Sequence, residues 1–470
     1  MKYYKNTEMI KEYDIIVVGA GSGGLVAATT AKRKGYKVAL LEKNKIGGEC
    51  THYGCVPSKA LLNSAKIFET TKHLSEKYGI TGIVVSGKLD FGNVMKSVDK
   101  IVQKIYSHET PEVFEKLGID VYVDKSGARF IDNHSIQIGK DILGFKHAII
   151  CTGSSPVKVD LPGSSEIEFL HNENFWDIRE LPKSIVFIGG GIISAEMGQA
   201  LTRFGSKVSI LDRSDTILKV LDKEVRSVIK KNLEKEGISI ITNANLKEFK
   251  KKNDKKVIVF EQNDKIVELE TDSIFIAIGR KPNINGLNLG NAGVQFDNKG
   301  ILTNKFLQTS SPHIYSCGDV TSPAKFTHTA SYQAEIIIKN IIDNNVKEND
   351  LSILPWVIFT EPEIAHVGLS EDQARLKFGD FIQVFKVDAT IDRFMTDRNE
   401  IGFIKVIFDK DNIVIGADAI GTNAGEWIQL LTLAIKNRIP AESLADTIFA
   451  YPTYSEIVKK VFTRFLRTKE

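Results

Sequence analysis

The apolar residues of this chain arrive in two matching bursts. Asp14-Ile-Ile-Val-Val is a continuous run of strand length; a glycine turn follows, then an alanine-rich helical stretch over 25–34, then a second apolar run over 37–41. That order predicts a β-α-β unit. The succession returns with a strand over 185–188, a glycine turn, a helix over 195–204 and a strand over 207–211. Two such units predict two dinucleotide-binding domains. Between them, 156–182 is rich in turn formers and reads as a crossing segment. A long helix is predicted over 331–342, and the polar stretch 343–350 reads as a boundary. Beyond it, 351–470 alternates strands with two helices, the pattern of a separate α+β domain.

Each glycine turn suits a pyrophosphate. Gly19-x-Gly21-x-x-Gly24 lies between strand and helix, where bare backbone approaches a phosphate and the helix N-terminus favours an anion. Glu42 ends the next strand, where a carboxylate grips both ribose hydroxyls. Gly189-Gly190-Gly191-Ile-Ile-Ser194 repeats the pattern with a serine third, small enough for close packing. Asp212 and Arg213 follow its second strand and pull in opposite directions. The aspartate favours the free 2′-hydroxyl of NADH; the arginine, helped by Lys219, suits the 2′-phosphate of NADPH. The residues leave that choice open.

The length of 470 residues exceeds one ordinary core and predicts three or four domains. The net charge of +3 offers no reason to expect nucleic acid or an anionic membrane as partner. The basic run over 247–256 is broken by Asn253 and Asp254 and followed by Val-Ile-Val-Phe, so it reads as a solvated hairpin. No apolar stretch reaches the roughly 18–20 residues of a membrane span. The polar N-terminus, 1–14, lacks a secretory apolar core. A cytoplasmic location is expected.

Four cysteines remain: Cys50, Cys55, Cys151 and Cys317. A reducing compartment argues against structural disulfides. Only His52 stands near the Cys50–Cys55 pair, which favours redox chemistry over metal binding, and no resident metal is expected. Cys55 precedes a helix predicted over 58–71, whose N-terminus lowers a thiol pKa, and Lys59 adds positive charge. A fall from about 8.5 to about 6 raises the thiolate fraction at pH 7 from ~3% to ~90%. Cys151 and Cys317 sit in apolar, strand-like contexts and read as inert buried thiols.

The stretch from Gly47 to Lys59, Thr152-Gly153-Ser154-x-Pro156, Ala277-Ile-Gly279-Arg-Lys-Pro282 and Cys317-Gly318-Asp319 occur in one order along the chain. Together they resemble the signatures of the pyridine nucleotide–disulfide oxidoreductases, a family that includes dihydrolipoamide dehydrogenase, glutathione reductase and mercuric reductase. The resemblance covers essentially the whole chain. It implies an α/β fold of two Rossmann-like dinucleotide-binding domains and a C-terminal α+β dimerisation domain. FAD binding would fall to 1–155 and 279–348, NAD(P) binding to 156–278, and the interface to 349–470. Lys43, Gly48, Thr152, Gly153 and Asp319 would join Glu42 around FAD, with Asp319 on the ribityl chain; Gly279 would serve NAD(P). Cys50 would be the interchange thiol, Cys55 the thiolate against the flavin, and Lys59 and Glu196 an ion pair beside it. The resemblance further implies a homodimer that reduces a small-molecule acceptor.

Two departures narrow the acceptor. Dihydrolipoamide dehydrogenase and glutathione reductase carry a His-Pro with a glutamate shortly after; here the stretch is Tyr451-Pro452 with Glu456, expected to face Cys50 of the partner subunit. Histidine titrates near 6.5, whereas tyrosine, near 10, stays protonated at pH 7 and is a poor proton shuttle. A tyrosine there resembles mercuric reductase, yet no cysteine follows Cys317 to form that enzyme's C-terminal pair, and no metal-binding domain is seen ahead of the first unit. Phe326-Thr-His-Thr-Ala-Ser-Tyr-Gln and Thr360-Glu-Pro-Glu-Ile-Ala-His-Val-Gly resemble the mercuric reductase-like flavoproteins. Ile192 stands where several relatives place a tyrosine over the nicotinamide. His52 and Tyr53 inside the cysteine loop, His328 near the flavin, and Arg393 and Arg398 flanking Met395 are further candidates, each balanced by an ordinary packing or surface role. The expected function is a mercuric-reductase-like NAD(P)H oxidoreductase acting on a metal ion or disulfide. The alternatives are a dihydrolipoamide dehydrogenase and a flavin-binding redox sensor with little turnover.

Overall fold

The computed structural model describes residues 10–83 and 89–470; most of the polar N-terminal stretch, at 1–9, lies outside them. The first apolar run forms the Lys11–Val18 strand inside a seven-stranded sheet. Val38–Glu42 and Asp141–Ile150 flank it, both parallel. Ile15 and Val17 enter a core with alanines of the Ser22–Arg33 helix and isoleucines of the Thr327–Asp343 helix. Ile16 and Val18 enter a second core on the other face. A strand covered on both faces is apolar at every position, which is why this run does not alternate. Ile314–Ser316 pairs in parallel with Asp141–Ile150, so the chain returns to its first sheet after building the second.

The second unit is a parallel sheet in the order Ser239–Ile241, Lys207–Leu211, Ser184–Ile188, Ser273–Ile276. Beside it lies a three-stranded antiparallel sheet whose first hairpin, Asn245–Lys252 with Lys255–Gln262, carries the lysine run. Lys250 and Lys252 reach Glu268 and Glu270 at 2.9 and 2.7 Å, so the run is a neutralised, solvated face.

The last segment wraps helices around a five-stranded antiparallel sheet, ordered Trp356–Ile358, Glu363–Gly368, Val414–Gly421, Phe403–Phe408, Gln383–Asp388. This fully described segment holds six α-helical pieces, not two. All but Glu456–Arg467 are eight residues or shorter, too brief for helical periodicity to register in sequence. The architecture is thus α/β, with two Rossmann-like domains and a C-terminal α+β domain. No helix among the described residues is long and apolar enough to cross a membrane.

All four predicted helices begin before their predicted starts, at 22, 192, 55 and 327 rather than 25, 195, 58 and 331, and the last two bear on the site. Cys55–Lys72 starts at Cys55 because Pro57 falls in the first turn, where its missing amide is not needed. Thr327–Asp343 starts four residues before the predicted 331.

Candidate active site

The two glycine turns share one shape. Gly19 and Gly189 adopt φ of +102° and +103°, and a Cβ on either would sit 2.5 Å from the carbonyl oxygen of Cys151 or Ala277. In each, the carboxylate after the second strand reaches back. Glu42 accepts the Ala20 amide at 2.7 Å and, through its other oxygen, those of Lys43 and Asn44 at 2.9 and 2.8 Å. Asp212 accepts the amides of Gly190 and, at 2.7 Å, Ser214. Gly48, at φ +59°, comes so near Gly21 that a Cβ would lie 2.7 Å from its Cα. Bare backbone at a helix N-terminus with a pinned carboxylate beside it fits a dinucleotide in both places.

Both turns open on one cavity of about 1650 Å³, above the roughly 300–1,000 Å³ of an ordinary ligand pocket. Gly19, Gly21, Glu42, Lys43 and Gly48 line its first arm. Thr152, Gly153 and Asp319 stand at the strand ends between. Gly191, Ile192, Glu196 and Gly279 line the second arm. Gly24, Gly189, Ser194 and Asp212 do not line it; they shape the turns from behind. Arg213 and Lys219 are exposed. Ser154 donates to Asp319 at 2.6 Å and accepts from Arg280 at 2.8 Å; Arg280 also meets Glu49 at 2.9 Å. Burial pushes the Glu49 carboxyl up, with Arg280 opposing it.

The dithiol lies where the arms meet. Cys50 is on the short Gly48–His52 helix and Cys55 opens the next one; both are free thiols lining the cavity. Cys55 Sγ is 3.3 Å from Thr327 Oγ1. Lys59, one turn on, pairs with buried Glu196 of the second unit at 2.8 Å, and its ammonium lies 4.5 Å from the Phe359 ring centre. The other Glu196 oxygen accepts the Phe359 amide at 2.8 Å. The Cys55 thiol is pushed down to about 6. The largest cause is the hydrogen bond from Cys50; Thr327 and the Lys59 charge add to it, while burial opposes. Cys50 moves up, because it keeps the shared proton and is partly buried. The expected cause was the helix N-terminus; the structure puts the neighbouring thiol first.

Other candidates separate. His52 is buried, its Nε2 bonded to the Ile46 carbonyl at 2.7 Å and its ring edge-on to Tyr106, and it does not line the cavity. Tyr53 and His328 do line it, with His328 Nε2 on the Pro355 carbonyl at 2.8 Å. Tyr451 is 70% exposed and donates to Asp392 at 2.7 Å, which pushes its phenol up. Glu456 takes the Thr453 amide at 3.0 Å and does not meet Tyr451. Neither lines the cavity of its own chain. Arg393 pairs with Asp397 at 3.1 Å, and Arg398 bonds the Lys77 carbonyl. Sequence reasoning missed Thr327, Arg280 and Asp392. Thr327 lies inside the 326–333 motif and Arg280 inside the 277–282 motif; Asp392 has no local signal.

A cavity between two dinucleotide cradles, with one acidic and one protonated thiol in it, defines a flavin- and nicotinamide-dependent dithiol oxidoreductase. The chain belongs to the pyridine nucleotide-disulphide oxidoreductase family: residues 13–334 match that family, and 354–462 match its dimerisation domain. Members use FAD and NAD(P)H. The chain is 33% identical to a mercuric reductase of Staphylococcus aureus over 452 residues, 95% of this chain and 81% of that one. It is 36% identical to a dihydrolipoyl dehydrogenase of Bacillus subtilis over 455 residues, 95% of each. In structure it is similar to the HOCl-induced flavoprotein disulfide reductase RclA from Escherichia coli, with a TM-score of 0.86, 26% identity, and 96% of this chain and 99% of that one covered. RclA is also solved as a Cu(II) complex.

Proposed function

We propose that this chain is a mercuric-reductase-like enzyme that draws electrons from NADH and delivers them through Cys50 to a small acceptor, a soft metal ion ahead of a disulfide. The observation that carries this reading is the unequal dithiol, taken with an Asp392-bound tyrosine, Tyr451, at the position where the resemblance would set a histidine against Cys50 of the partner subunit. FAD, when bound, supplies the two-electron link between nicotinamide and the cysteine pair. Residues 1–155 and 279–348 would bind it, 156–278 the nicotinamide cofactor, and 349–470 would form a homodimer interface. Cys55 is held as thiolate by Cys50, Thr327 and Lys59, and Glu196 anchors Lys59. Cys50 keeps its proton until a substrate arrives.

A disulfide acceptor needs a base to deprotonate Cys50 and an acid to protonate the leaving thiolate. Tyr451, with Asp392 taking its hydrogen bond, holds its proton far above pH 7 and serves neither need. A soft metal ion needs no such relay: two sulfurs bind it and Cys50 releases its proton to water. The Cu(II) complex of RclA and the name of the mercuric reductase relatives support this choice. The 36% identity to dihydrolipoyl dehydrogenases favours the second reading, a lipoamide enzyme. Asp212 supports NADH, since a second negative charge beside it is unfavourable to a 2′-phosphate.

Anaerobic titration with NADH, then NADPH, tests the pair. The expected result is a long-wavelength thiolate–flavin absorption band, reached more readily with NADH. Steady-state assays with Hg(II), Cu(II), lipoamide and glutathione disulfide follow, with the metal ions turned over fastest. No such band sinks the dithiol mechanism; brisk lipoamide turnover overturns the acceptor assignment.

A further inference from the structure

Two thiols that the chemistry above does not use stand side by side under the first dinucleotide cradle. Cys151 follows the Asp141–Ile150 strand and Cys317 follows Ile314–Ser316, parallel neighbours with Ser316 opposite Ile150. One step further, Cys317 donates its amide to the Ile150 carbonyl at 3.1 Å, and the two sulfurs lie 3.3 Å apart. Adjacent strands run about 4.8 Å apart, inside the roughly 4.4–6.8 Å between α-carbons that a disulfide accepts. Both side chains are free thiols and buried, yet both reach the wall of the large cavity. A Cβ on Gly23 would lie 3.1 Å from the Cys317 sulfur, which puts the pair directly beneath the first turn of the phosphate-binding helix.

We propose that Cys151 and Cys317 form a second oxidisable dithiol, distinct from Cys50–Cys55, that closes to a disulfide with hydroperoxides. One sulfur attacks the peroxide, breaking its O–O bond, and becomes a sulfenic acid as water or an alcohol leaves. The second sulfur attacks the sulfenic sulfur, the S–S bond forms and a further water leaves. The dithiol gives up two electrons, and the peroxide takes them. Because the sulfurs are already in contact, condensation outpaces further oxidation of the sulfenic acid. The product staples the strand end at Cys151 to the one that leads to Asp319, joining two walls of the FAD cradle. A small dithiol reopens it by exchange.

The test uses the flavin-loaded Cys50→Ser/Cys55→Ser variant, in which Cys151 and Cys317 are the remaining thiols. It is treated with hydrogen peroxide, denatured in N-ethylmaleimide, weighed and digested. The expected result is loss of both alkylatable thiols, a mass lower by two hydrogens, and a peptide linking Cys151 to Cys317 that dithiothreitol separates. Two thiols still alkylated, or oxygen added to either sulfur with no linked peptide, overturns the proposal. If that variant does not fold, the unsubstituted holoenzyme mapped for the same peptide decides it in the same terms.

Discussion

The two glycine turns are built to one plan and differ at their third small residue. At Gly24 a Cβ would lie 1.8 Å from the Gly19 carbonyl oxygen, so the first helix packs against its turn with no room for any side chain. At Ser194 the second helix stands off far enough for a hydroxymethyl group, whose Oγ donates to the Gly189 carbonyl. Carboxylate and amide meet the same way in both. The spacing of a motif therefore sets its hydrogen bonds, while the closeness of helix to strand is set separately by what lies behind. The second helix also carries Glu196 to Lys59, which ties its position to the Cys55–Lys72 helix as well as to its own sheet.

The harshest way to break this comparison is Gly24→Val beside Ser194→Gly. The valine should cost ~3 kcal/mol or more through overpacking against backbone, seen as lost flavin per chain and a lower Tm. The glycine should cost only the hydrogen bond, about 0.5–1.5 kcal/mol, with flavin retained. Equal losses would show that the two turns are not built differently. Next come the carboxylates. Glu42→Ala should weaken FAD binding and Asp212→Ala should raise the KM for NADH, each by about ten- to a hundredfold, the worth of a charge-assisted hydrogen bond of ~1.5–3 kcal/mol. Arg213→Ala should leave the NADH KM nearly unchanged; a large rise would assign the ribose to the arginine instead.

The bridge between the units gives a subtler readout. The Cys50 hydrogen bond, Thr327 and the Lys59 charge push the Cys55 thiol down to about 6, below the about 8.5 of a free thiol. Its thiolate is thus fully favoured above about 8.5, and the advantage is lost as pH falls through about 6. Alkylation of the reduced enzyme by iodoacetamide should fade with that midpoint. Lys59→Met and Thr327→Val should each move the midpoint upward; an unmoved midpoint would leave Cys50 as the sole cause. Tyr451→His should gain lipoamide turnover, whereas Asp392→Asn, which removes the charge that raises the phenol, should lower the Tyr451 pKa with no gain in lipoamide turnover. The smallest effect belongs to the hairpin far from either turn: Lys252→Ala should change stability by less than about 0.5 kcal/mol in a thermal melt.

How far the sequence could be read follows from the range of each interaction. The strand over 207–211 and the turn glycines are legible because strand burial and positive φ leave marks within a few residues. The sequence pattern starts the helix at Cys55 three residues late, because a proline reads as a stop unless it falls in a first turn. Five of the six helical pieces in the last segment are too short to show a period. Asp392 was invisible because its contact with Tyr451 spans 59 residues.

By itself the sequence determined the two β-α-β units, the family they belong to and the close spacing of Cys50 and Cys55. Periodicity, turn chemistry and motif spacing are local, and they survive in a one-dimensional string. Only the tertiary structure decided that the neighbouring thiol is the largest cause of the Cys55 acidity, that Thr327 reaches Cys55 from a distant element, that Asp392 holds Tyr451, and that Cys151 touches Cys317. Those are matters of charge, burial and contact between segments far apart in the chain, where a fraction of an ångström decides whether an interaction exists.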